Sequence, residues 1–303
     1  MNTIYKIREL IANIAALPMR TRSARRRTRD KIRFRGLIAE TGNTGPEMEK
    51  FPERINVAFC FDDDGYKLAA VSIRSLISAS GCACDYDIYC VVDNTVSAQH
   101  RKTIARQIRG TGSRIFFLNA NNDFNDSYRA GWPVAIYYRT MLPKLIPTLD
   151  KIIYADIDVI FCRDLVNAWR INMGKNLLAG VRDYNNGYIN SGFLIMNLKQ
   201  MRTEKMYEKW IAVSRGKKYK NPDQDLLNYT ARGRIVFLPL KYNFQPMLGP
   251  WIFKAHSAHE IHDLRYNLVA IHYSNWMKPW HAANLRPIFS KIWWRVATQT
   301  GLY

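Results

Sequence analysis

Lys151-Ile-Ile-Tyr-Ala-Asp156-Ile-Asp158-Val-Ile-Phe161 is an apolar run interrupted by two carboxylates one residue apart. The β-branched and aromatic residues on either side read as a buried strand. Charge inside such a strand is costly unless it is paired or bound to a metal. If the backbone stays extended, Asp156 and Asp158 face one side and Ile157 the other. Such a pair suits a hard divalent cation that keeps further positions for phosphate oxygens. Two other readings fit the Asp-x-Asp by itself. One is a pair of turn carboxylates at a strand end. The other is a phosphatase with Asp156 as nucleophile and Asp158 as general acid.

Outward from this strand, apolar segments alternate with helical ones. Residues 55–61 read as a buried strand that runs into Asp62-Asp-Asp-Gly-Tyr66. The pattern then predicts a helix over 68–79, a strand over 87–92, a helix capped by Ser97 and stopped by Gly110, and a strand over 114–118. After a polar loop over 121–132 come a helix over 135–145 carrying Arg139 and the Asp-x-Asp strand within 149–161. Further strands fall at 177–181, 193–198, 235–238 and 268–272, with a helix over 203–214 and another opened by Pro222 and its following acids. Alternation with short connections means βαβ units around a mostly parallel sheet. Ligands of such sheets sit at the carboxyl ends of strands. Asp62–Gly65 and Asp156 both lie at such ends and could share one crevice.

Composition bounds the rest. The 303 residues accommodate one large α/β domain with extensions, and 48% hydrophobic content supports a sizeable core. No apolar stretch is long enough to span a bilayer. The run over 11–17 lacks a clean cleavage site, so a secretory signal is not expected. Cysteines 60, 82, 84, 90 and 162 are odd in number and form no paired zinc motif, which points to a reducing compartment. The formal charge of +20 implies attraction to polyanions without naming one. Residues 1–52 form a basic arm and linker. Apolar residues at helical spacing are followed by a dense arginine run, which fits an anionic membrane surface. A solvated arm is the alternative, and the absence of interleaved aromatics argues against nucleic acid. The tail, residues 285–303, carries Trp293-Trp294 among basic residues and reads equally as an interfacial anchor or as a helix packed on the core. His256-x-x-His259-x-x-His262 has metal-like spacing, but Glu260 and Asp263 within it suit a solvated helix.

The motifs together resemble glycosyltransferase family 8, the retaining UDP-sugar transferases that include bacterial lipopolysaccharide galactosyl- and glucosyltransferases. The resemblance covers roughly residues 55–281, within a catalytic domain expected over 53–284. It rests on the order of Phe61-Asp-Asp-Asp64, Tyr138-Arg139, Tyr154-Ala-Asp-Ile-Asp158, Asn190-Ser-Gly192, Asp223-Gln-Asp225 and His272…Lys278-Pro-Trp-His281. The phosphatase reading explains only the Asp-x-Asp and needs it near the start of its domain. The resemblance implies a single Rossmann-like domain of the GT-A type. It implies Mn²⁺, with Mg²⁺ as the alternative, held by Asp156, Asp158 and His272. It implies UDP-galactose or UDP-glucose as donor, contacted by Cys60, Asp62, Asp64, Tyr66, Ile157, Asn275 and Lys278. Arg139, Asn190, Ser191 and Asp223 match its sugar-pocket positions. Asp183 and Gln224 match the positions nearest the chemistry, Gln224 facing the anomeric carbon opposite the departing nucleotide.

Two departures stand out. The family often has Asp-Asp-Asn-Tyr where this chain has Asp62-Asp-Asp-Gly-Tyr66, which displaces the tyrosine by one. It often has glycine where this chain has Asn275. The implied acceptor is a glycan or glycolipid met at the cytoplasmic face of a membrane, with no nucleic acid partner. A basic adaptor built on a degenerate transferase domain is the other class of reading. A degenerate domain would be expected to have lost part of the set Asp156, Asp158, His272 and Lys278, which is complete here.

Overall fold

The computed structural model describes residues 53–81, 83–183, 187–246, 256–274, 278–281 and 287–303. The N-terminal arm, Cys82, most of the turn at 184–186 and Asn275 lie outside the described residues.

The chain opens with β1 (Glu53–Phe61), α1 (Tyr66–Ser80), β2 (Cys84–Val92), α2 (Ala98–Ala105) and β3 (Arg114–Asn119). Then come α3 (Leu142–Leu145), β4 (Ile152–Ala155), β5 (Val159–Phe161), α4 (Val166–Trp169), β6 (Leu178–Arg182) and β7 (Ile189–Met196). The last part holds α5 (Leu198–Thr203), α6 (Met206–Gly216), α7 (Pro222–Thr230), β8 (Ile235–Leu238), α8 (Ala258–Asn267), β9 (Ala270–His272) and α9 (Pro287–Ala297). The main sheet has seven strands in the order β3-β2-β1-β4-β7-β6-β8. Its pairings are parallel except those of β7 with β4 and β6. This is the mostly parallel α/β architecture that the alternating pattern predicts.

Strand β1 shows why both faces of the sheet are covered. Ile55, Val57, Phe59 and Phe61 enter one apolar cluster with Ile73 and Leu76 of α1. Ala58 and Cys60, the alternate residues, enter the other with Tyr138, Met141 and Trp210. Ser97 caps α2 as its residue type suggests, accepting from the His100 N–H. The tail resolves toward packing. Trp293 and Val296 are fully buried, and Trp294 Nε1 donates to the Pro279 carbonyl at 3.1 Å.

Three elements differ from their sequence expectation. The 135–145 segment is a 3₁₀ helix over Val134–Met141 followed by α3. Pro143 has no N–H for the Arg139 carbonyl, which accepts instead from Leu142 N. The 203–214 helix divides at Lys205, whose φ of 52° interrupts the ladder. Most important, the chain does not stay extended through Asp156-Ile157-Asp158. Val159 N donates to the Asp156 carbonyl at 3.2 Å, closing a tight turn between β4 and β5. β5 then leaves the main sheet and pairs antiparallel with β9, which sets Val159 opposite His272. On its other side β5 is satisfied from α1. Ser72 Oγ donates to the Val159 carbonyl at 2.7 Å and Ser75 Oγ accepts from Phe161 N at 2.9 Å.

Candidate active site

The turn does what an extended strand would not: it carries two carboxylates to one point and lets a different strand bring a histidine to them. Asp156 N donates to the Gly192 carbonyl at 2.9 Å, and Tyr273 N donates to the Asp158 carbonyl at 3.1 Å. These bonds tie the turn to β7 on one side and to β9 on the other. His272 Nε2 lies 3.2 Å from Asp158 Oδ1 and 3.6 Å from Asp156 Oδ2. One ligand atom from each of the three side chains falls within 4.8 Å of the others. Asp158 Oδ1 is buried and has no hydrogen-bond partner among the described residues. A buried anionic oxygen without a donor, facing an imidazole nitrogen and a second carboxylate, is a donor set that fits a divalent cation.

Lys278 lies 2.5 Å from Asp158 Oδ2 and donates to the Tyr273 carbonyl at 2.6 Å. Burial acts to raise the Asp158 carboxyl, but the Lys278 ammonium and the His272 imidazole outweigh it. The net result holds Asp158 well below the usual carboxylate range.

Arg139 is the hub of the adjoining wall. The residue is buried, and its guanidinium reaches Asp156 Oδ1 at 2.8 Å and Asp223 Oδ2 at 3.3 Å. It donates to the Ser191 carbonyl at 2.8 Å and stacks on the Tyr154 ring at 4.3 Å. Burial works against its charge, yet Asp156 leads the groups that hold it firmly protonated. Asp223 is raised by its own burial, with Arg139 opposing. Gln224 Oε1 accepts from Ser191 N at 2.9 Å and Asn190 Nδ2 at 3.1 Å, and its Nε2 donates to Asp183 Oδ2 at 3.1 Å. Asp183, Asn190, Ser191, Asp223, Gln224, Arg139, Asp156, Asp158, His272 and Lys278 thus form one connected wall. Asp225 lies apart from it. It accepts from Tyr188 Oη and from Asn221 N at the start of α7.

The acidic loop after β1 reaches the same crevice. Ile157 sits over Gly65, where an added Cβ would lie 2.7 Å from Ile157 Cδ1. Gly65 is therefore the close approach that lets the two strand ends meet. Asp62 caps the loop by accepting from Gly65 N at 3.3 Å, and burial raises its carboxyl. Asp64 is exposed at the rim. Cys60 is buried, and burial pushes its thiol up, so the side chain is a neutral packing group. Tyr66 is stacked on the His100 imidazole at 3.6 Å and 6°, and His100 Nδ1 lies 2.6 Å from Asp63 Oδ1. One face of the ring expected to meet a base is thus covered by His100. The three-histidine motif gathers no metal set among the described residues. His256 instead pairs with Glu260 at 3.5 Å, and Ser257 and Glu260 form a capping box for α8.

Two contacts of the wall are not legible in the sequence: Asn243 lies in no motif, and Gly192 stands in Asn190-Ser-Gly192 without a role assigned to it. Asn243 is fully buried, and its Oδ1 lies 3.0 Å from His272 Nδ1. Gly192 lies beneath the His272 ring, where a Cβ would be 2.1 Å from Cε1.

A family model described as Glycosyl transferase family 8 matches residues 56–284. The chain belongs to glycosyltransferase family 8. It is 26% identical over 261 residues to a lipopolysaccharide 1,2-glucosyltransferase of Escherichia coli K12, covering 78% of this chain and 75% of that one. It is 27% identical over 252 residues to a putative glycosyltransferase of Haemophilus influenzae, covering 76% and 74%. Among solved structures, the galactosyltransferase LgtC bound to donor and acceptor sugar analogs superposes with a TM-score of 0.68 at 24% identity. That superposition covers 81% of this chain and 96% of LgtC. The fold is therefore that of a family 8 glycosyltransferase, and the Asp156–Asp158–His272 cluster is its candidate metal site.

Proposed function

We propose that this family 8 enzyme is a retaining hexosyltransferase that moves galactose or glucose from a UDP-sugar to a glycan. The observation that carries the reading is the convergence of Asp156, Asp158 and His272 beside the buried Arg139–Asp223–Gln224–Asp183 wall. In this reading the three ligands hold Mn²⁺, with Mg²⁺ as the alternative. The bound cation would neutralise the diphosphate and favour its departure.

The chain's own groups then divide the work. Arg139, locked between Asp156 and Asp223, keeps the carboxylates of the pocket in one orientation for sugar hydroxyls. Lys278 moves from Asp158 to the diphosphate and stabilises the negative charge of leaving UDP. Gln224 presents an amide whose oxygen is already committed to Ser191 N and Asn190 Nδ2, which disfavours it as a nucleophile. Asp225 is occupied by Tyr188 and Asn221. These contacts favour front-face transfer. The acceptor oxygen bonds to the anomeric carbon as its bond to the phosphate oxygen breaks, and the acceptor proton passes to that phosphate. Asp62, Asp64, Ile157, Cys60 and Tyr66 would line the nucleotide end, and Asn275 would meet the diphosphate.

UDP release from UDP-galactose and UDP-glucose, followed by NMR of the product's anomeric configuration, tests donor and stereochemistry together. Retention with one preferred donor supports the reading. Inversion, or a trapped glycosyl adduct on Asp183 or Asp225, overturns it.

The acceptor we propose is lipopolysaccharide or another membrane-linked saccharide, because the Escherichia coli relative is a lipopolysaccharide 1,2-glucosyltransferase. No helix of the described residues is long and apolar enough to cross a membrane. Contact with anionic lipid would then come from the basic arm, at the cytoplasmic face. Flotation with anionic vesicles checks this, and binding unchanged by deletion of residues 1–52 would exclude the arm.

A further inference from the structure

We propose that Asn243 fixes a proton on His272 Nδ1 and so leaves Nε2 as the ligand nitrogen turned toward Asp156 and Asp158. The argument follows one buried string of hydrogen bonds whose direction is set by backbone donors. Gly192 N–H can only donate, and it meets Asn190 Oδ1 at 3.0 Å. That contact identifies the acceptor end of the Asn190 amide. Asn190 Nδ2 then faces Gln224 Oε1 at 3.1 Å, and Ser191 N–H donates to the same Oε1 at 2.9 Å. Gln224 Nε2 is left to donate to the Asp183 carboxylate at 3.1 Å, an acceptor by nature. Each amide orientation is thus checked from a group that has no choice.

The same logic runs the other way. Asn190 Oδ1 is an acceptor, so the Asn243 atom 2.8 Å from it is Nδ2, the donor end. Asn243 Oδ1 therefore points at His272 Nδ1, 3.0 Å away, and it can only accept. His272 must carry its proton on Nδ1. In the neutral imidazole the other nitrogen is then a bare lone pair, and Nε2 is the atom 3.2 Å from Asp158 Oδ1. Asn243 is fully buried, so water does not replace its amide, and Gly192 closes the space beneath the ring. Asn243 is a positioning residue that acts through His272. A second amide, Asn190, joins it to Gln224 and Asp183.

The consequence for metal affinity rests on the proposed cation site; the tautomer does not. The test uses the full chain with ¹⁵N-labelled histidine, free of metal, at a pH where imidazole is neutral. Long-range ¹H–¹⁵N spectra distinguish the two tautomers, and Mn²⁺ affinity is measured in parallel by electron paramagnetic resonance. Wild type is expected to show His272 as Nδ1–H. Asn243→Leu removes the acceptor and is expected to populate Nε2–H, with Mn²⁺ affinity about 10–100-fold weaker. Asn243→Asp keeps an acceptor for Nδ1–H but sets an oxygen where Asn243 Nδ2 donated to Asn190 Oδ1 at 2.8 Å, so it is expected to lose stability yet retain the Nδ1–H signature, which a purely structural role would not produce. An Nε2–H signature in wild type overturns the proposal even if no variant folds. So does a folded Asn243→Leu with unchanged tautomer. Unchanged Mn²⁺ affinity in Asn243→Leu, where His272→Ala abolishes binding, refutes the positioning role. If wild type binds no Mn²⁺ but Asn243→Leu flips the tautomer, the cation reading fails and the assignment of Asn243 stands.

Discussion

Replacing Gly192 by alanine would put a methyl group where the His272 imidazole lies. The added Cβ would meet Cε1 at 2.1 Å, Nδ1 at 2.5 Å and Nε2 at 2.8 Å, whereas ordinary Cβ contacts lie at 3.4–4 Å. Gly192 sits in the middle of β7, with Asp156 N bonded to its carbonyl, so the backbone has little freedom to retreat. The ring must therefore move by more than 1 Å, away from Asn243 and out of line with Asp158. Overpacking of this kind costs about 1–3 kcal/mol in stability. A displacement of about 1 Å in a catalytic group costs on the order of 10²-fold in rate. Gly216→Ala is the control, since a Cβ there meets nothing within 4 Å. Both variants would be followed by thermal unfolding and by metal-dependent UDP release. Gly192→Ala is expected to remain folded, to lose about 10²-fold in turnover, and to bind Mn²⁺ more weakly, while Gly216→Ala matches wild type. Wild-type turnover and metal affinity in Gly192→Ala would refute the placement of His272 against β7.

Two further outcomes follow from buried charge. Arg139→Met strands Asp156 and Asp223 without their cation, and removing one partner of such a buried cluster costs about 3–5 kcal/mol. Urea unfolding checks this, and a loss below about 1 kcal/mol would mean that water reaches the cluster. On β2, one strand in from the sheet edge, burial acts to raise Asp87, but Arg114 at 2.5 Å and Arg54 at 2.9 Å outweigh it and hold the carboxyl below its ordinary 3.8. A depressed carboxyl stabilises the fold above its unfolded value and loses that contribution as pH falls through the lower folded value. The stability gap between wild type and Asp87→Asn should therefore be full at neutral pH and close below pH 3.8, as read from unfolding curves across pH. A gap that stays constant into acid would contradict the pairing.

The sheet was legible because its signals are local. Alternation along Ile55–Phe61 separates the residues that enter the two cores, and Ser97 and Pro222 mark the helix starts that the structure shows. Most of the wall was legible because its residues sit in short motifs. What escaped depends on contacts distant in sequence. The Asp156–Asp158 turn is hidden by apolar neighbours that suit an extended strand equally well, and β5 is drawn away by β9 more than 100 residues later. Asn243 acts through His272, 29 residues away, so it carries no local pattern; Gly192 stands in the Asn190-Ser-Gly192 motif, but its close approach to the His272 ring on another strand is not legible there. The tail offered two readings because an amphipathic aromatic helix suits a membrane or a core. The complete burial of Trp293 decides for the core.

The most direct test of the account is UDP release from the preferred donor as Mn²⁺ is titrated, in wild type and in Asp158→Asn. Asp158→Asn keeps the shape of the side chain but removes the charge that faces His272 and Lys278. The account predicts saturable, metal-dependent release in wild type that is lost in the variant, both proteins being compared at a temperature where each is folded. Release that is equal in the two proteins, or indifferent to chelation of the metal, would contradict the assignment of Asp156, Asp158 and His272 as the cation site.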